Sequence, residues 1–303
     1  MKLFLKYIAI FFLPLLILIS AGEYFARQSD NVYRYKHAFM SKNAGSVDIL
    51  ILGSSHTFYG IQPHILSPKA FSLAIASQDT RYDLFLLENY KKDYRNLKTV
   101  IMPVSYFTFF DAPTSEVSPF RASFYKMYMD CPFPRGLKYD FEFMNMPVFR
   151  EKIKKYFSRN KRKEYDLQGW GTMHSLQDKD SLRWDNEKVF EALKFHTAKN
   201  SSHVEENYNN IEKILKFCKQ RGIEAVLITT PCYKTYNENI NPAQMQKTYA
   251  LIDKLCRKHN IRYYDYRLDS RFSEEDFYDG DHLSDKGAEK FSIILKKDIF
   301  SCK

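Results

Sequence analysis

The sequence predicts an α/β protein: a three-layer α/β/α sandwich built on a mainly parallel sheet, with an N-terminal transmembrane anchor. Three observations lead to this prediction. Short apolar runs without polar alternation recur along the chain, and such runs are typical of strands that are buried on both faces of a parallel sheet. Amphipathic segments separate these runs, as helices do in α/β proteins. A longer apolar run stands at the start of the chain.

Five segments have the length and composition of buried strands. They are VDILILG, AFSLAIA, LKTVIMPVS, IEAVLITT and IRYYDY, at residues 47–53, 70–76, 97–105, 223–230 and 261–266. Turn residues or a helical pattern follow each of them. We therefore expect these five segments to form the sheet.

Helices are expected between and after the strands. One follows residue 80, where apolar residues recur at helical spacing: Tyr82, Phe85, Leu86 and Tyr90. A longer helix starts near His203 and is closed by Gly222. Another starts near Pro242, a residue suited to the first turn. A last helix is expected from residue 284 to about residue 297, and residues 28–45 read as a polar linker or a short helix.

The apolar run at the start of the chain predicts a membrane anchor. Lys2 and Lys6 precede the run YIAIFFLPLLILISAG, which ends before Glu23. Basic residues ahead of such a run place the start inside and the rest outside the cytoplasmic membrane. A cleaved signal peptide is the alternative, but the bulky Ile19 makes a poor cleavage site. We expect residues 1–27 to be an uncleaved anchor and the body to be extracytoplasmic, either periplasmic or extracellular.

The rest of the chain reads as one α/β domain over residues 45–303, interrupted by an insertion at about 111–200 that is rich in Pro, aromatic and basic residues. The formal net charge is +10, and part of it lies in the run KIKKYFSRNKRK at 152–163. This run is either a solvated helix face or a basic amphipathic helix on an anionic lipid or glycan. No nucleic-acid-binding motif accompanies it, so nucleic acid is not an expected partner.

Cysteines and short motifs exclude several kinds of site. The five cysteines form no CxxC pair and no metal-ligand spacing with histidine. The chain contains no HExxH, GxGxxG or GxxxxGK[ST] motif. The sequence therefore predicts neither a metal ion nor another cofactor.

Polar residues gather where the predicted strands end, which is where functional groups lie in parallel sheets. The first strand runs directly into GSSH, which contains Ser55. The last loop, DFYDGDHLSDKGA, holds Asp279 and His282 three residues apart, just before a helix. This spacing lets the carboxylate fold back on the imidazole Nδ1, so that Nε2 faces a serine, as in a Ser-His-Asp triad. Asp281 is expected to orient His282 less well, because adjacent side chains in a loop tend to diverge.

The order of LGSSH, FSLAIASQD and DGDHLSDKGA resembles the SGNH, or GDSL-like, hydrolase superfamily. In particular it resembles membrane-anchored members that act in O-acylation of cell-envelope polymers, such as the D-alanyl transfer protein of teichoic acids and the alginate O-acetylation proteins. The resemblance covers roughly residues 45–110 and 203–300. It implies an SGNH-like fold with Ser55 as nucleophile, His282 as base and Asp279 as the residue that orients His282.

The resemblance also implies an oxyanion hole, for which the sequence offers partial matches. The amide of the nucleophile, Ser55, is one expected donor. The family's second block supplies a glycine amide, and here Ala76 or Ser77 stands in that neighbourhood. The third block usually carries an asparagine, which PVSYF lacks, so Ser105 is the candidate substitute.

The remaining histidines are not assigned to the catalytic group. His56 follows Ser55 directly and is expected to be a turn residue or a substrate contact, since a base must approach the serine from across the site. His174 and His196 could line the insertion side of the cleft, but lone histidines are more often structural.

Together these features predict a membrane-tethered serine esterase or O-acyltransferase that acts on acyl esters of a cell-envelope glycan. The expected partners are an acylated glycan or acyl donor, the membrane, and an integral-membrane acyltransferase. The missing asparagine motivates the alternative, a weakly active or inactive binding or assembly protein with an SGNH fold in extracellular polysaccharide biosynthesis.

Overall fold

A computed structural model describes residues 1–157, 162–182 and 186–300. The chain divides into two compact units. The first unit comprises residues 1–37 and 114–162, and the second comprises residues 38–113 and 163–303. The predicted insertion at 111–200 therefore falls in both units. Residues 114–162 belong to the first unit, and residues 111–113 and 163–200 belong to the second, which contains the sheet.

The second unit is built on a five-stranded parallel sheet, which confirms the predicted fold class. The strands are β1 (Ile49–Ile51), β2 (Ala70–Ser72), β3 (Thr99–Pro103), β4 (Glu224–Thr229) and β5 (Arg262–Asp265). Their order is β2-β1-β3-β4-β5, and every neighbouring pair is parallel. All five predicted strands are present, each shorter than its apolar run.

Fourteen helices are found in the described residues. They are α1 (Lys2–Gln28), α2 (Val32–Asn43), α3 (Ser55–Gly60), α4 (Pro63–Leu66), α5 (Thr80–Asn89), α6 (Thr114–Val117), α7 (Pro119–Tyr128), α8 (Met146–Phe157), α9 (Leu176–Leu182), α10 (Asn186–His196), α11 (Val204–Gln220), α12 (Lys234–Glu238), α13 (Pro242–His259) and α14 (Asp285–Phe300). The helices predicted after residue 80, near residue 203, near Pro242 and near residue 284 correspond to α5, α11, α13 and α14. The segment 28–45 contains α2, so a short helix is the correct alternative there.

Successive side chains of each strand point to opposite faces of the sheet, and helices cover both faces. Ile49, Ile51 and Ile101 belong to a buried cluster that also contains residues of α4 and α14. Side chains one position along a strand point to the opposite face, and Leu50 and Val100 are fully buried there. Helix α11 packs on both β4 and α5, which encloses this second face.

The strand order creates a crevice at one edge of the sheet. After β1 the chain forms β2 on one side and then crosses back to form β3 on the other side of β1. The connections that leave β1 and β3 therefore run in opposite directions, which opens a space outside the carboxyl ends of these two strands. The segment GSSH leaves β1 at this point.

In the first unit, α1 is the predicted anchor segment. Its Lys6–Gln28 portion is long and apolar enough to cross a membrane, by length and composition. Large apolar side chains along it are exposed in the structure. A spanning helix and a signal sequence both have these properties.

The basic run at 152–163 is only partly described. Helix α8 contains its first half, and residues 158–161 lie outside the described residues. Lys152 is not on a solvated face, because its ammonium group pairs with the carboxylate of Glu142, whose side chain is buried. The Tyr128 hydroxyl donates a hydrogen bond to the same carboxylate. Lys152 itself is therefore not solvated, and the role of the rest of the run stays a prediction.

Gly53 offers a test of how tightly the β1 turn is packed. Its φ is +112°, and a Cβ there would lie 2.1 Å from Pro103 Cγ. We expect Gly53→Ala to lower the free energy of unfolding by about 2–5 kcal/mol, from backbone strain and overpacking together. Gly222→Ala is the matched control, because Gly222 has φ +66° with open space around the missing Cβ. It should cost only about 1–2 kcal/mol. Equal losses in urea unfolding would contradict this account.

Candidate active site

The turn after β1 fixes the position of Ser55. The backbone N–H of Gly53 donates a 2.7 Å hydrogen bond to Asp83 Oδ1, which also accepts a 2.6 Å bond from Gln78 Nε2. Burial raises the pKa of Asp83 to about 7, against the effect of these two donors. Ser54 is the N-cap residue of α3, and Ser55 is its first residue. The buried Asp83 thus fixes the turn at Gly53, and Ser55 begins α3 at the crevice.

The structure brings Ser55, His282 and Asp279 into one hydrogen-bonded row. His282 Nε2 lies 2.8 Å from Ser55 Oγ. On the other side of the ring, Nδ1 lies 2.9 Å and 3.0 Å from the two oxygens of Asp279. Because an ionised carboxylate only accepts hydrogen bonds, Nδ1 carries a hydrogen, and Nε2 can accept the serine proton once the ring is in its neutral form. This is the geometry of a nucleophile, a base and an orienting acid.

The loop that holds His282 is itself fixed by backbone hydrogen bonds. Asp279 Oδ1 accepts from the amides of Asp281 and His282, at 3.1 Å and 2.8 Å. The amide of Tyr278 donates to the carbonyl of His282 at 2.9 Å. The short DxxH spacing therefore folds the carboxylate over its own loop, which limits the freedom of both side chains.

Two carboxylates stabilise the positively charged form of His282. Burial disfavours the imidazolium, but the charges of Asp279 and Asp281 outweigh burial and raise the pKa of His282 from 6.5 to about 9. Asp279 is the nearer orienter, as expected from the sequence. Asp281 nevertheless also approaches, with Oδ1 3.5 Å from His282 Nδ1. The expected divergence of adjacent side chains thus does not remove Asp281 from the site.

The loop after β2 carries the two residues suggested as oxyanion donors. Ala76 and Ser77 are half-exposed within an otherwise buried stretch. Ser77 has φ +59°, the left-handed conformation that usually favours glycine. The amide of Ile75 donates to the carbonyl of Gly53 at 3.1 Å, which holds this loop beside the β1 turn. The loop thus lies beside the turn that carries Ser55, and the oxyanion roles of Ala76 and Ser77 stay predictions.

Ser105 requires a correction. Its backbone N–H donates a 2.8 Å hydrogen bond to Thr108 Oγ1, and its side chain is buried with Oγ 3.4 Å from His56 Nδ1. Both of its donors are therefore engaged inside the protein. Ser105 lies behind His56 and is not a donor to a substrate oxygen.

His56 is also not what the sequence suggested. It is buried rather than exposed to a substrate, and its Nε2 lies 3.2 Å from Asp281 Oδ2. Its Nδ1 lies 3.2 Å from Thr230 Oγ1. The DxxH motif could not indicate this contact, because it joins positions that are far apart in the sequence and depends on which way His56 points.

His174 and His196 lie next to this group. His174 stacks between Tyr59 and Tyr278, with ring centroids 3.6 Å and 4.1 Å away, and meets His282 edge to face at 5.0 Å. His196 stacks on Phe107 at 4.0 Å. Burial lowers the pKa of His174 to about 2 and that of His196 to about 3, so both rings are neutral. Both rings therefore neighbour the site, one of the two alternatives considered from the sequence.

One group in the described part of the chain could hold a metal ion. His56, Asp281 and His282 each offer a ligand atom, all within 4.8 Å of one another. The facing atoms of these side chains are already joined by the contacts between Asp281 and the two imidazoles. Hydrogen bonding accounts for the cluster, and we assign no metal to it.

Comparison with known families gives one partial match. A family model described as "Protein of unknown function (DUF1574)" matches residues 172–297. This range is less than half of the chain and contains Asp279 and His282 but not Ser55. No curated protein matches the chain.

Solved structures match most of the chain at low identity. A protein from Bacteroides fragilis assigned as an acylhydrolase is 12% identical and has a TM-score of 0.44, with 90% of this chain and 99% of that chain covered. A GDSL-like lipase from Bacteroides thetaiotaomicron is 12% identical, with a TM-score of 0.43 and coverage of 90% and 100%. A protein from Streptococcus pneumonia assigned as a platelet activating factor is 14% identical, with a TM-score of 0.44 and coverage of 96% and 99%. Likeness at this level transfers no activity.

Proposed function

We propose that this protein is a serine esterase or O-acyltransferase that acts on acyl esters. The observation that carries the proposal is the row in which Ser55 Oγ, the His282 ring and Asp279 are joined by hydrogen bonds of 2.8 Å and 2.9 Å. Serine hydroxyls are weak nucleophiles unless a positioned base removes their proton. A serine, a base and an acid in this order supply that activation.

The proposed reaction has two halves. Ser55 Oγ attacks the acyl carbonyl carbon while His282 Nε2 takes the hydroxyl proton. The tetrahedral intermediate collapses, the bond to the leaving alkoxide oxygen breaks, and His282 returns the proton to that oxygen. Asp279 keeps the ring oriented and stabilises the imidazolium without taking the proton. In the second half, an incoming hydroxyl attacks the acyl-enzyme by the same steps in reverse.

The incoming hydroxyl decides between hydrolysis and transfer. Water gives an esterase, and a sugar hydroxyl gives an O-acyltransferase. The backbone N–H of Ser55 and an amide at Ala76 or Ser77 are the proposed oxyanion donors, and one such donor is typically worth about 2.7–4 kcal/mol in an acyl-transfer site.

We further propose that the substrate is an acylated cell-envelope glycan or another acyl donor, and that an integral-membrane acyltransferase is a partner. The motif resemblance and the apolar α1 segment support this. Measuring ester-linked acyl groups on surface glycan in strains with wild-type or Ser55→Ala protein tests it. Equal acyl content in the two strains would contradict the glycan assignment.

A second candidate is a binding or assembly protein that retains the fold with little or no activity. Both hydrogen-bond donors of Ser105 are engaged inside the protein, which favours this candidate. Ser105 then does not replace the asparagine that the third block of the family usually carries. The labelling experiment below separates the two candidates.

Covalent labelling tests the nucleophile. A fluorophosphonate probe should label Ser55 in the wild-type protein, because His282 is placed to remove its proton as the phosphorus is attacked. Ser55→Ala should abolish labelling, and His282→Ala should nearly abolish it. Ser54→Ala is the matched control and should retain labelling, since Ser54 is the N-cap residue of α3. Labelling is read by gel fluorescence and peptide mapping on samples with equal melting temperature. Loss of labelling in Ser54→Ala alone would mean that the wrong serine is assigned, and an unlabelled wild type would favour the binding protein.

The proposed single-pass tether, with an extracytoplasmic body, is tested by the mass of the mature chain. Residues 1–27 should remain in protein that is isolated from membrane fractions, because Ile19 opposes cleavage and α1 reaches spanning length. Intact-mass analysis reads the start of the chain directly. A chain that begins near Gly22 and is found free in the periplasm or medium would refute the tether.

A further inference from the structure

A second carboxylate lies behind the Ser55–His282–Asp279 row. Asp281 is buried, with Oδ1 3.5 Å from His282 Nδ1 and Oδ2 3.2 Å from His56 Nε2. We propose that Asp281 and His56 are positioning residues of the site: Asp281 places a second negative charge beside the base, and His56 holds Asp281 in place. This inference rests on the proposed role of His282 as the base.

The protonation states follow from burial and hydrogen bonding. Burial alone would raise the pKa of Asp281, but the charge of His282 and the hydrogen bond from His56 hold it well below its usual range, so the carboxylate is ionised. Burial lowers the pKa of His56, so its ring is neutral and carries one N–H. An ionised carboxylate can only accept. The hydrogen of His56 is therefore on Nε2, where it is donated to Asp281.

The opposite nitrogen of His56 is then an acceptor, and the structure supplies donors for it. Thr230 Oγ1 lies 3.2 Å and Ser105 Oγ lies 3.4 Å from Nδ1. These residues follow β4 and β3, so two neighbouring strand ends fix the tautomer of the ring. The arrangement explains why Ser105 points inward: its hydroxyl belongs to the support of Asp281.

His196 does not replace His56 as the donor. Its Nδ1 is 3.8 Å from Asp281 Oδ2, beyond hydrogen-bond distance, but 2.8 Å from the Tyr236 hydroxyl. Nδ1 of His196 is therefore engaged with the Tyr236 hydroxyl and makes no hydrogen bond to Asp281.

The consequence concerns the imidazolium that forms when His282 Nε2 takes the proton of Ser55. Its positive charge faces Asp279 on Nδ1 and Asp281 beside it, while the neutral rings of His56 and His174 bring no opposing charge. A carboxylate within this range favours the charged form of a base by about 1–3 pKa units. The titratable groups that face His282 or Asp281 from the surrounding elements are Asp279, His56, Tyr59, His174, His196, Cys232 and Tyr236.

The experiment measures the pKa of His282 without relying on turnover. Full-length protein in detergent micelles is labelled with ¹³C,¹⁵N-histidine, and the ring signals of His282, assigned by the loss of one signal set in His282→Gln, are followed against pH. Asp281→Asn should lower the pKa of His282 by about 1–3 units. The pH at which kcat/KM for an acetyl ester reaches half its plateau should fall with it, because the neutral base then persists to lower pH.

Variants of His56 test whether its hydrogen bond holds Asp281 in place and ionised. His56→Gln keeps an N–H donor near the position of Nε2 and should leave the His282 pKa within about half a unit of wild type, since the charge of Asp281 is retained. His56→Leu removes the donor, so the buried Asp281 binds a proton more readily. The His282 pKa should then fall in the same direction as in Asp281→Asn, by a smaller amount. Asp253→Asn is the control, because it removes an exposed carboxylate on α13 that pairs with Arg257.

Two results would overturn the inference. One is an unchanged His282 pKa in folded Asp281→Asn, with or without a lower melting temperature, since that leaves Asp281 a purely structural role. The other is an equal His282 pKa in His56→Gln and His56→Leu. If Asp281→Asn fails to fold, this pair of variants decides the question. Failure of the proposed function reads differently: the wild-type protein would then lack fluorophosphonate labelling whatever the titration gives.

Discussion

The hydrogen bond between Asp279 and His282 Nδ1, 2.9 Å long, is the interaction on which the rest of the site depends. It fixes the hydrogen on Nδ1 and leaves Nε2 to meet Ser55. Two features of the fold bring Ser55 and His282 together, although they lie far apart in the sequence. Helix α14, which follows the DxxH loop, packs on both α3 and α4, and the amide of Gln62 donates to Ser292 Oγ at 2.8 Å. Ser55 and His282, the proposed nucleophile and base, are thus held by one packing interface.

The site also concentrates charge where little water reaches it. Asp281 and His56 are almost fully buried, and an ionised group there is tolerated only when its hydrogen-bonding capacity is met. A chain of hydrogen bonds meets this requirement: the Thr230 hydroxyl bonds to His56, and His56 bonds to Asp281. The members of such a network stabilise one another, so the buried residues at the sheet edge and the Ser55–His282–Asp279 row are physically linked.

The sequence predicted the elements whose signal is local. Apolar runs predicted the five strands, although turn and loop geometry shortens each of them. The DxxH spacing predicted the contact between Asp279 and His282, because both lie in one loop. Ser55 was reached through the order of three motifs, which together resemble the SGNH-like arrangement.

The contacts that sequence reasoning missed are those between distant segments. His56 was expected at a turn or a substrate, but as the neighbour of Ser55 on α3 its side chain leaves the helix in a different direction and points inward. Asp281 was set aside on a general tendency of adjacent side chains, and burial of the loop overrides that tendency. Ser105 was assigned from the position of a family motif, whereas the hydroxyl of Thr108 and the ring of His56 determine its direction. None of these depends on a spacing that can be read along the chain.

The most direct test of the account is to trap the covalent intermediate. Wild-type protein mixed briefly with p-nitrophenyl acetate and quenched in acid should carry one acetyl group, and peptide mapping should place it on Ser55. His282→Gln, with the same fold, should carry none in the same time. Acetylation of another residue, or equal acetylation of Ser55 in both proteins, would contradict the assignment of Ser55 and His282 as nucleophile and base.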